Sequence, residues 1–251
     1  MSAIVCESID ISNNNGASFP LANILAGHPN IQVVGLKATE GFSFRDPDFA
    51  SFYATCETHL RVALPYCFAR PETGGGVAGG VKEADALLAD YGAVRMRGKA
   101  AGVPVCDYET IRDVAFARGF LGRVAAKCQR RPLVYCSLSR VAELAADPWI
   151  ATHADFWIAD YGVTKLPPLK VRVVMWQYTD HGAFSTDASH VFVRPDDLRL
   201  HPRPVPYLEV VKSGRVVMRI RYGGGRVKKY LHGSRVLRAL ASGAHLRMRR
   251  H

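Results

Sequence analysis

No stretch of this chain reaches the ~18–20 consecutive apolar residues that a membrane-spanning helix needs. Its start, Met1-Ser-Ala-Ile-Val-Cys-Glu7, lacks the basic opening and long apolar run of a secretory signal. The expectation is synthesis in a host cytoplasm without a signal peptide. Metal-binding patterns are missing too. The nine histidines form no H-x-x-H or H-E-x-x-H, and Cys6, Cys56, Cys67, Cys106, Cys128 and Cys136 form no C-x-x-C. The expectation is no metal and no cofactor, with the cysteines acting as buried free thiols. A disulfide framework does not suit so long a chain without a secretion signal. The glycine-rich run Thr73–Gly80 lacks the Lys and Ser/Thr of a phosphate-binding loop, so it reads as a connection.

Acidic residues are nearly absent from one end. Tyr207–His251 hold twelve Lys and Arg against Glu209 alone, so this segment carries the whole chain's +11. Met1–Pro206 are balanced at 21 basic and 21 acidic residues. Two parts with different roles are implied. Three prolines in His201–Pro206 read as a stiff linker. The expected organisation is a catalytic domain over 1–200, a linker over 201–206 and a basic segment over 207–251.

What is present is alternation. Strand-like runs at Val5–Ile11, Ile31–Ala38, Arg61–Phe68, Val103–Glu109, Pro132–Cys136, Ala154–Asp160, Val171–Tyr178 and His190–Arg194 number eight. Helices are expected after the first five: Phe19–Ala26, one opening at Asp46-Pro-Asp48, Val81–Ala101, Thr110–Arg130 and Ser139–Ala146. Strand–helix alternation argues an α/β fold with a parallel sheet, and eight strands argue a TIM-like barrel with about five helices. In the tail, Tyr207–Arg221 reads as a hairpin around Ser213-Gly214, broken by Gly223–Gly225. Ser234–Leu246 reads as a weak basic amphipathic helix, the rest of a small basic C-terminal appendage.

In such a barrel the strand ends converge on one mouth. They carry Asp10, Lys37, Glu40, Tyr66, Arg70, Asp107, Glu109, Tyr135, Trp157, Asp160, Trp176, Gln177 and Tyr178. Asp107 and Glu109 lie two apart at one strand end, hence on one face and ~6.5–7 Å apart at Cα. Two adjacent carboxyls suit glycosidic hydrolysis: one protonates the leaving oxygen, the other stabilises or attacks the developing cation. Proximity of like charges keeps one of them protonated near neutral pH. Aromatic rings at the mouth suit sugar faces. Each residue has a plainer role open to it. Asp10 could only cap the loop Ser12–Gly16, Tyr135, Trp157 and Trp176 could be packing, and Lys37 and Glu40 could simply pair with each other.

Seven segments occur together in order: Ile9–Gly16, Leu36–Gly41, Tyr66–Pro71, Val105–Glu109, Pro132–Tyr135, Phe156–Gly162 and Met175–Thr179. This series resembles glycoside hydrolase family 25, the Chalaropsis-type lysozymes common among phage endolysins. The resemblance implies a barrel of eight strands with five helices. It also implies hydrolysis of the β-1,4 bond between N-acetylmuramic acid and N-acetylglucosamine in peptidoglycan. By position it makes Glu109 the proton donor, Asp107 the carboxylate beside it, Asp10 the acid of the first strand and Tyr66 a cleft tyrosine. Arg70, Glu40, Tyr135, Trp157, Asp160 and Gln177 are the accompanying substrate-binding candidates. A further aspartate is expected after the last strands, and Asp187 is the candidate, with Asp180 the runner-up. Cys67 departs from the family pattern, which commonly has histidine there. Another glycosidase, such as a chitinase, and a catalytically silent glycan-binding protein are the competing readings.

For the basic segment, anionic cell-envelope polymers or lipids are the expected partners, concentrating the enzyme at the cell wall. Non-specific nucleic-acid binding and a protein partner are the other two readings.

Overall fold

The computed structural model describes residues 3–94, 98–110 and 112–200, and the backbone of 207–212, 215–221 and 245–249. The chain divides into two compact units, Met1–Pro202 and Arg203–His251.

In the first unit the elements run β1 (Cys6–Ile11), α1 (Leu21–Gly27), β2 (Ile31–Glu40), the short β3 (Phe44–Arg45), α2 (Phe49–Thr58), β4 (Val62–Phe68) and α3 (Gly76–Val94). Then follow β5 (Val105–Asp107), α4 (Val114–Cys128), β6 (Leu133–Ser137), α5 (Val141–Ala145), α6 (Pro148–His153), β7 (Asp155–Ala159), β8 (Val173–Thr179) and β9 (Asp187–Val191). The sheet order β1-β9-β8-β7-β6-β5-β4-β2 closes through β1–β2 pairing, and β3 is appended to β2. Eight strands thus form a closed barrel, as the alternation predicts. Strands covered on both sides need apolar residues on both faces, and Val33, Val34, Leu36, Val62, Ala63 and Leu64 are all fully buried.

The last strand departs from the expected parallel sheet. β9 runs antiparallel to both β1 and β8 and spans Asp187–Val191, not His190–Arg194. Only seven residues separate it from β8. That suffices for an antiparallel turn, whereas a parallel neighbour requires a crossover of a dozen or more. Six α-helices occur among the described residues: α5 falls within the expected Ser139–Ala146, and α6 (Pro148–His153) is an additional helix beyond it. The D-x-E strand is also shorter than anticipated. β5 ends at Asp107, although Tyr108 N still donates to Tyr135 O at 2.8 Å.

The glycine-rich run is not merely a connection. α3 begins at Gly76; its Gly79 packs on the turn at Gly74, and its Gly80, with Gly119 of α4, allows a close crossing of the two helices. A Cβ on Gly79 would stand 1.5 Å from Gly74 O; one on Gly80 would stand 2.0 Å from Phe116 O; one on Gly119 of α4 would stand 2.2 Å from Val77 O. Backbone contact outweighs the poor helix propensity of glycine here. Asp113 ties the two helix starts together. Its Oδ1 caps α4 at Phe116 N (2.8 Å), and its Oδ2 accepts from Gly76 N (2.7 Å). Of the six free cysteines five are buried and Cys128 is half-buried. No described helix is long and apolar enough to cross a membrane.

Among the described residues of the second unit are three strands, β10 (Tyr207–Lys212), β11 (Arg215–Arg221) and β12 (His245–Arg249), with β10 in the centre and both pairings antiparallel. The β10–β11 hairpin matches the predicted one. Of the predicted helix Ser234–Leu246, residues 234–244 lie outside the described residues, while His245 and Leu246 belong to β12. The linker 201–206 and the glycine run 223–225 also lie outside them.

Candidate active site

A cleft of about 420 Å³ opens at the C-terminal mouth of the barrel. Its lining includes Asp10, Lys37, Glu40, Tyr66, Arg70, Asp107, Glu109, Tyr135, Trp157 and Asp187. Residues from both ends of the chain therefore meet at one surface. β1 brings Asp10 directly opposite Asp187 of β9, and β5 brings Asp107 opposite Tyr135 of β6.

The floor is built for close approach. A Cβ on Gly35, opposite Asp10 on β2, would lie 2.6 Å from Asp10 Cβ and 2.9 Å from Trp157 Cη2. Glycine there makes room for the indole. Trp157 is buried, donates from Nε1 to Ser189 Oγ at 3.0 Å and meets Tyr135 edge-on at 5.1 Å. Gln177 lies buried beneath the cleft and organises its acids. Its Oε1 accepts from the Tyr135 hydroxyl and, at 2.8 Å, from the Tyr161 hydroxyl, while its Nε2 donates to Asp10 Oδ2 at 3.3 Å.

Alternation past β5 separates Tyr108 from its neighbours. Tyr108 is buried, donating to Glu143 Oε1 at 3.1 Å and accepting from Asp113 N. Asp107 and Glu109 turn to the cleft instead. Arg140 holds this short segment, donating to Glu109 O at 2.8 Å and Thr110 O at 2.7 Å. Asp107 is buried, whereas Glu109 opens to solvent at the cleft mouth with protein on its other sides.

All four carboxyls are pushed toward the neutral form. Burial is the first cause at Asp107, reinforced by Glu109 and Asp10 and opposed by Lys37. Burial also leads at Asp10, with Asp187 and Glu109 adding to it and the Gln177 amide opposing. Glu109 is raised by burial and by Asp187, against a hydrogen bond shared with Asp107, the Arg140 charge and the Tyr135 hydroxyl. Burial raises Asp187, while hydrogen bonds with Asp10 and Gln177 resist it. The acids thus form two contacting pairs, Asp107–Glu109 and Asp10–Asp187, each suited to share a proton.

One wall is an ion network. Lys37 Nζ reaches Glu40 Oε2 at 2.6 Å, and Arg70 pairs with Glu40 and with Glu72 at 3.4 Å. Partial burial works against the charge of Glu40, yet Lys37 and Arg70 hold its carboxyl below the usual value. Behind this wall Glu83 of α3 is buried, and its Oε2 accepts from Arg70 N at 3.2 Å and from Cys67 Sγ at 3.7 Å.

Five sequence candidates stand outside the lining: Gln177, which supports it from beneath, Trp176 and Tyr178, and the two aspartates Asp160 and Asp180. Asp160 is not among the cleft lining; its carbonyl accepts from Trp176 Nε1 at 2.8 Å. Asp180 pairs with the exposed His181 at 2.6 Å and also stands outside the lining, which favours Asp187 over the runner-up. Sequence reasoning missed Arg140 and Glu83, whose roles rest on contacts 31 and 13 residues away. It also missed Asn14, Asn15, Phe68, Ser185 and Thr186 of the lining, although the asparagines belong to the turn-forming run after β1.

The model of "Glycosyl hydrolases family 25" matches residues 9–187. None of the curated proteins matches the chain in sequence. Among solved structures, a lysozyme from Streptomyces coelicolor is 20% identical, with TM-score 0.63 over 77% of this chain and 94% of that one. A muramidase from Trichobolus zukalii is 21% identical, with TM-score 0.62 over 77% and 97%. The CTP1L endolysin is 23% identical, with TM-score 0.61 over 74% and 66%.

Proposed function

The chain belongs to glycosyl hydrolases family 25, and from that premise we propose that it is a muramidase of the phage-endolysin kind. Its substrate is the β-1,4 bond between N-acetylmuramic acid and N-acetylglucosamine in the bacterial cell wall. The observation that carries this reading is the meeting of Asp10, Asp107, Glu109 and Asp187 in one cleft lined by Tyr66, Tyr135 and Trp157. Similarity in fold to proteins described as a lysozyme, a muramidase and an endolysin supports it.

Glu109 is the acid. It is the member of its pair that opens to solvent, and its raised pKa keeps a proton available. It protonates the glycosidic oxygen as the muramic acid ring flattens toward an oxocarbenium ion. Asp107 lies beside Glu109 on the cleft and either stabilises that cation, attacks the anomeric carbon, or orients the substrate's N-acetyl group to do so; a carboxyl spacing of ~5–5.5 Å would favour direct attack and ~6.5–9.5 Å inversion. Asp10 and Asp187 stand across the cleft, adding negative potential that favours the cation. Gln177 fixes Asp10 and Tyr135 together, and the Lys37–Glu40–Arg70 wall presents polar groups to the glycan.

Glu109→Gln tests the assignment. The variant should melt with the wild type yet release at least ~10³-fold fewer reducing ends from purified walls, general acid catalysis contributing about 10²–10⁴. Wild-type rates in that variant would remove Glu109 from the mechanism.

A further inference from the structure

The basic segment has an internal order that its charge count does not reveal. In an antiparallel sheet directly paired residues share a face, and neighbours along a strand alternate. β10 pairs Tyr207 with Arg221 and Arg249, and Glu209 with Arg219 and Arg247. It pairs Leu208 with Ile220 and Met248, and Val210 with Met218 and Leu246. One face therefore receives four arginines around Tyr207 and Glu209. The other receives six apolar residues, with the Lys212–Arg215 pair at its hairpin end. Each strand contributes to this separation, and a one-residue slip would scramble it.

We propose that the arginine face of β10–β12 binds a linear phosphodiester polymer of the bacterial envelope, of the poly(glycerol phosphate) type. Identifying the polymer with the envelope rests on the muramidase reading; the anion-binding face does not.

Four features select this ligand. The residue type is uniform: arginine forms bidentate hydrogen bonds with phosphate, and among the described residues no lysine stands on this face. The spacing suits a polymer. Arg219 and Arg221, like Arg247 and Arg249, are two residues apart, ~6.6–6.8 Å along a strand, and the two pairs lie two strand spacings apart, ~9.4–9.8 Å. A single small anion occupies one corner of that rectangle, whereas a chain of phosphates spans it. The apolar residues argue against a lipid surface, since interfacial binding needs them beside the cations. Here six are on the opposite face, while Val211 and Val216 share the arginine face near the hairpin end. Finally, single-stranded nucleic acid is held by several aromatic platforms interleaved with charge, whereas among the described residues this register places Tyr207 at one end of the face and the imidazole of His245, opposite Val211, at the other, with no aromatic residue among the four arginines.

The test measures binding of the full-length chain to poly(glycerol phosphate), single- and double-stranded DNA, and phosphatidylglycerol vesicles at rising salt. The variant R219Q/R221Q/R247Q/R249Q is compared with R226Q/K228Q/K229Q/R235Q, which loses the same charge from the segment between β11 and β12. The face variant should bind poly(glycerol phosphate) at least tenfold more weakly. The slope of log affinity against log salt should flatten by about 3–4, at ~0.7–0.9 per phosphate contact. The control should lose less than threefold. Equal losses in both would mean that net charge alone binds, and the proposal would fall. Tighter binding of DNA or vesicles than of poly(glycerol phosphate) would also overturn it. Glu209→Gln is a milder second variant. Removing the carboxylate between Arg219 and Arg247 should tighten polymer binding several-fold, and an unchanged affinity would contradict the face. Hydrolysis of soluble glycan fragments should stay at the wild-type rate in every variant. A chain that binds polymer but cleaves no glycan would refute the muramidase reading alone.

Discussion

Gly80 and Gly92 sit on the same helix, α3, and alanine at each should act in opposite directions. At Gly92, an exposed position, a Cβ meets nothing within 4 Å. Alanine there gains the helix propensity difference, ~0.8–1 kcal/mol. At Gly80 the same methyl would lie 2.0 Å from Phe116 O and 2.7 Å from Phe120 N, both backbone atoms of α4. Ordinary contact begins at 3.4 Å, so the helices would have to part by about 1.0–1.4 Å. Overpacking of this kind costs about 1–3 kcal/mol, and a clash with rigid backbone belongs at the upper end. After the propensity gain, Gly80→Ala should destabilise by ~2 kcal/mol. The two variants then differ by ~3 kcal/mol, or roughly 6–12 °C in melting temperature for a chain of this size. The consequence should reach the cleft, because α3 also carries Glu83, which holds Arg70 N. Gly80→Ala should therefore raise KM for wall fragments, while Gly92→Ala leaves it unchanged. Urea melts followed by circular dichroism, with reducing-sugar release, read both effects. Equal stability of the two variants would refute the close crossing of α3 and α4.

The acid cluster predicts an unusual pH dependence. Asp10, Asp107, Glu109 and Asp187 all have pKa values raised in the fold, so the folded state binds more protons than the unfolded one. Their contribution is fully present below pH ~4 and is lost as pH rises through the raised values. Asp107→Asn should remove part of that loss, gaining stability over wild type at pH 7 but little at pH 4, while abolishing activity; equal gains at both pH values would contradict the burial of Asp107. Gln177→Leu removes the acceptor shared by the Tyr135 and Tyr161 hydroxyls and the amide donor to Asp10. It should cost ~1–3 kcal/mol in stability and lower kcat for wall hydrolysis more than tenfold, and a silent substitution would show that Gln177 does not organise the acids.

Much of the barrel could be read from sequence because its signals are local. Apolar runs such as Ile31–Ala38 and Pro132–Cys136 mark strands buried on both faces. The side-by-side placement of Asp107 and Glu109 follows from the two-residue period of extended chain, which persists past the end of β5 through Tyr108. The same period separates Arg219 and Arg221 from Met218 and Ile220 in β11, whereas the helix expected over Ser234–Leu246 hid the start of β12. These features need no knowledge of what the segment packs against.

Tertiary contact decided the rest. Glycines at 76, 79 and 80 read as loop residues by propensity, yet they open α3, where the preceding turn at Gly74 crowds Gly79 and the α4 backbone crowds Gly80 too closely for a side chain. β9 lies antiparallel because the short connection from β8 allows nothing else, and that closure selects Asp187 over Asp180 as the fourth acid of the cleft. Asp160 stands at a strand end yet leaves the lining, while Gln177 becomes its buried support. Even the raised pKa values belong to this level, since desolvation and like-charge contact exist only once strands 180 residues apart in the chain are joined side by side.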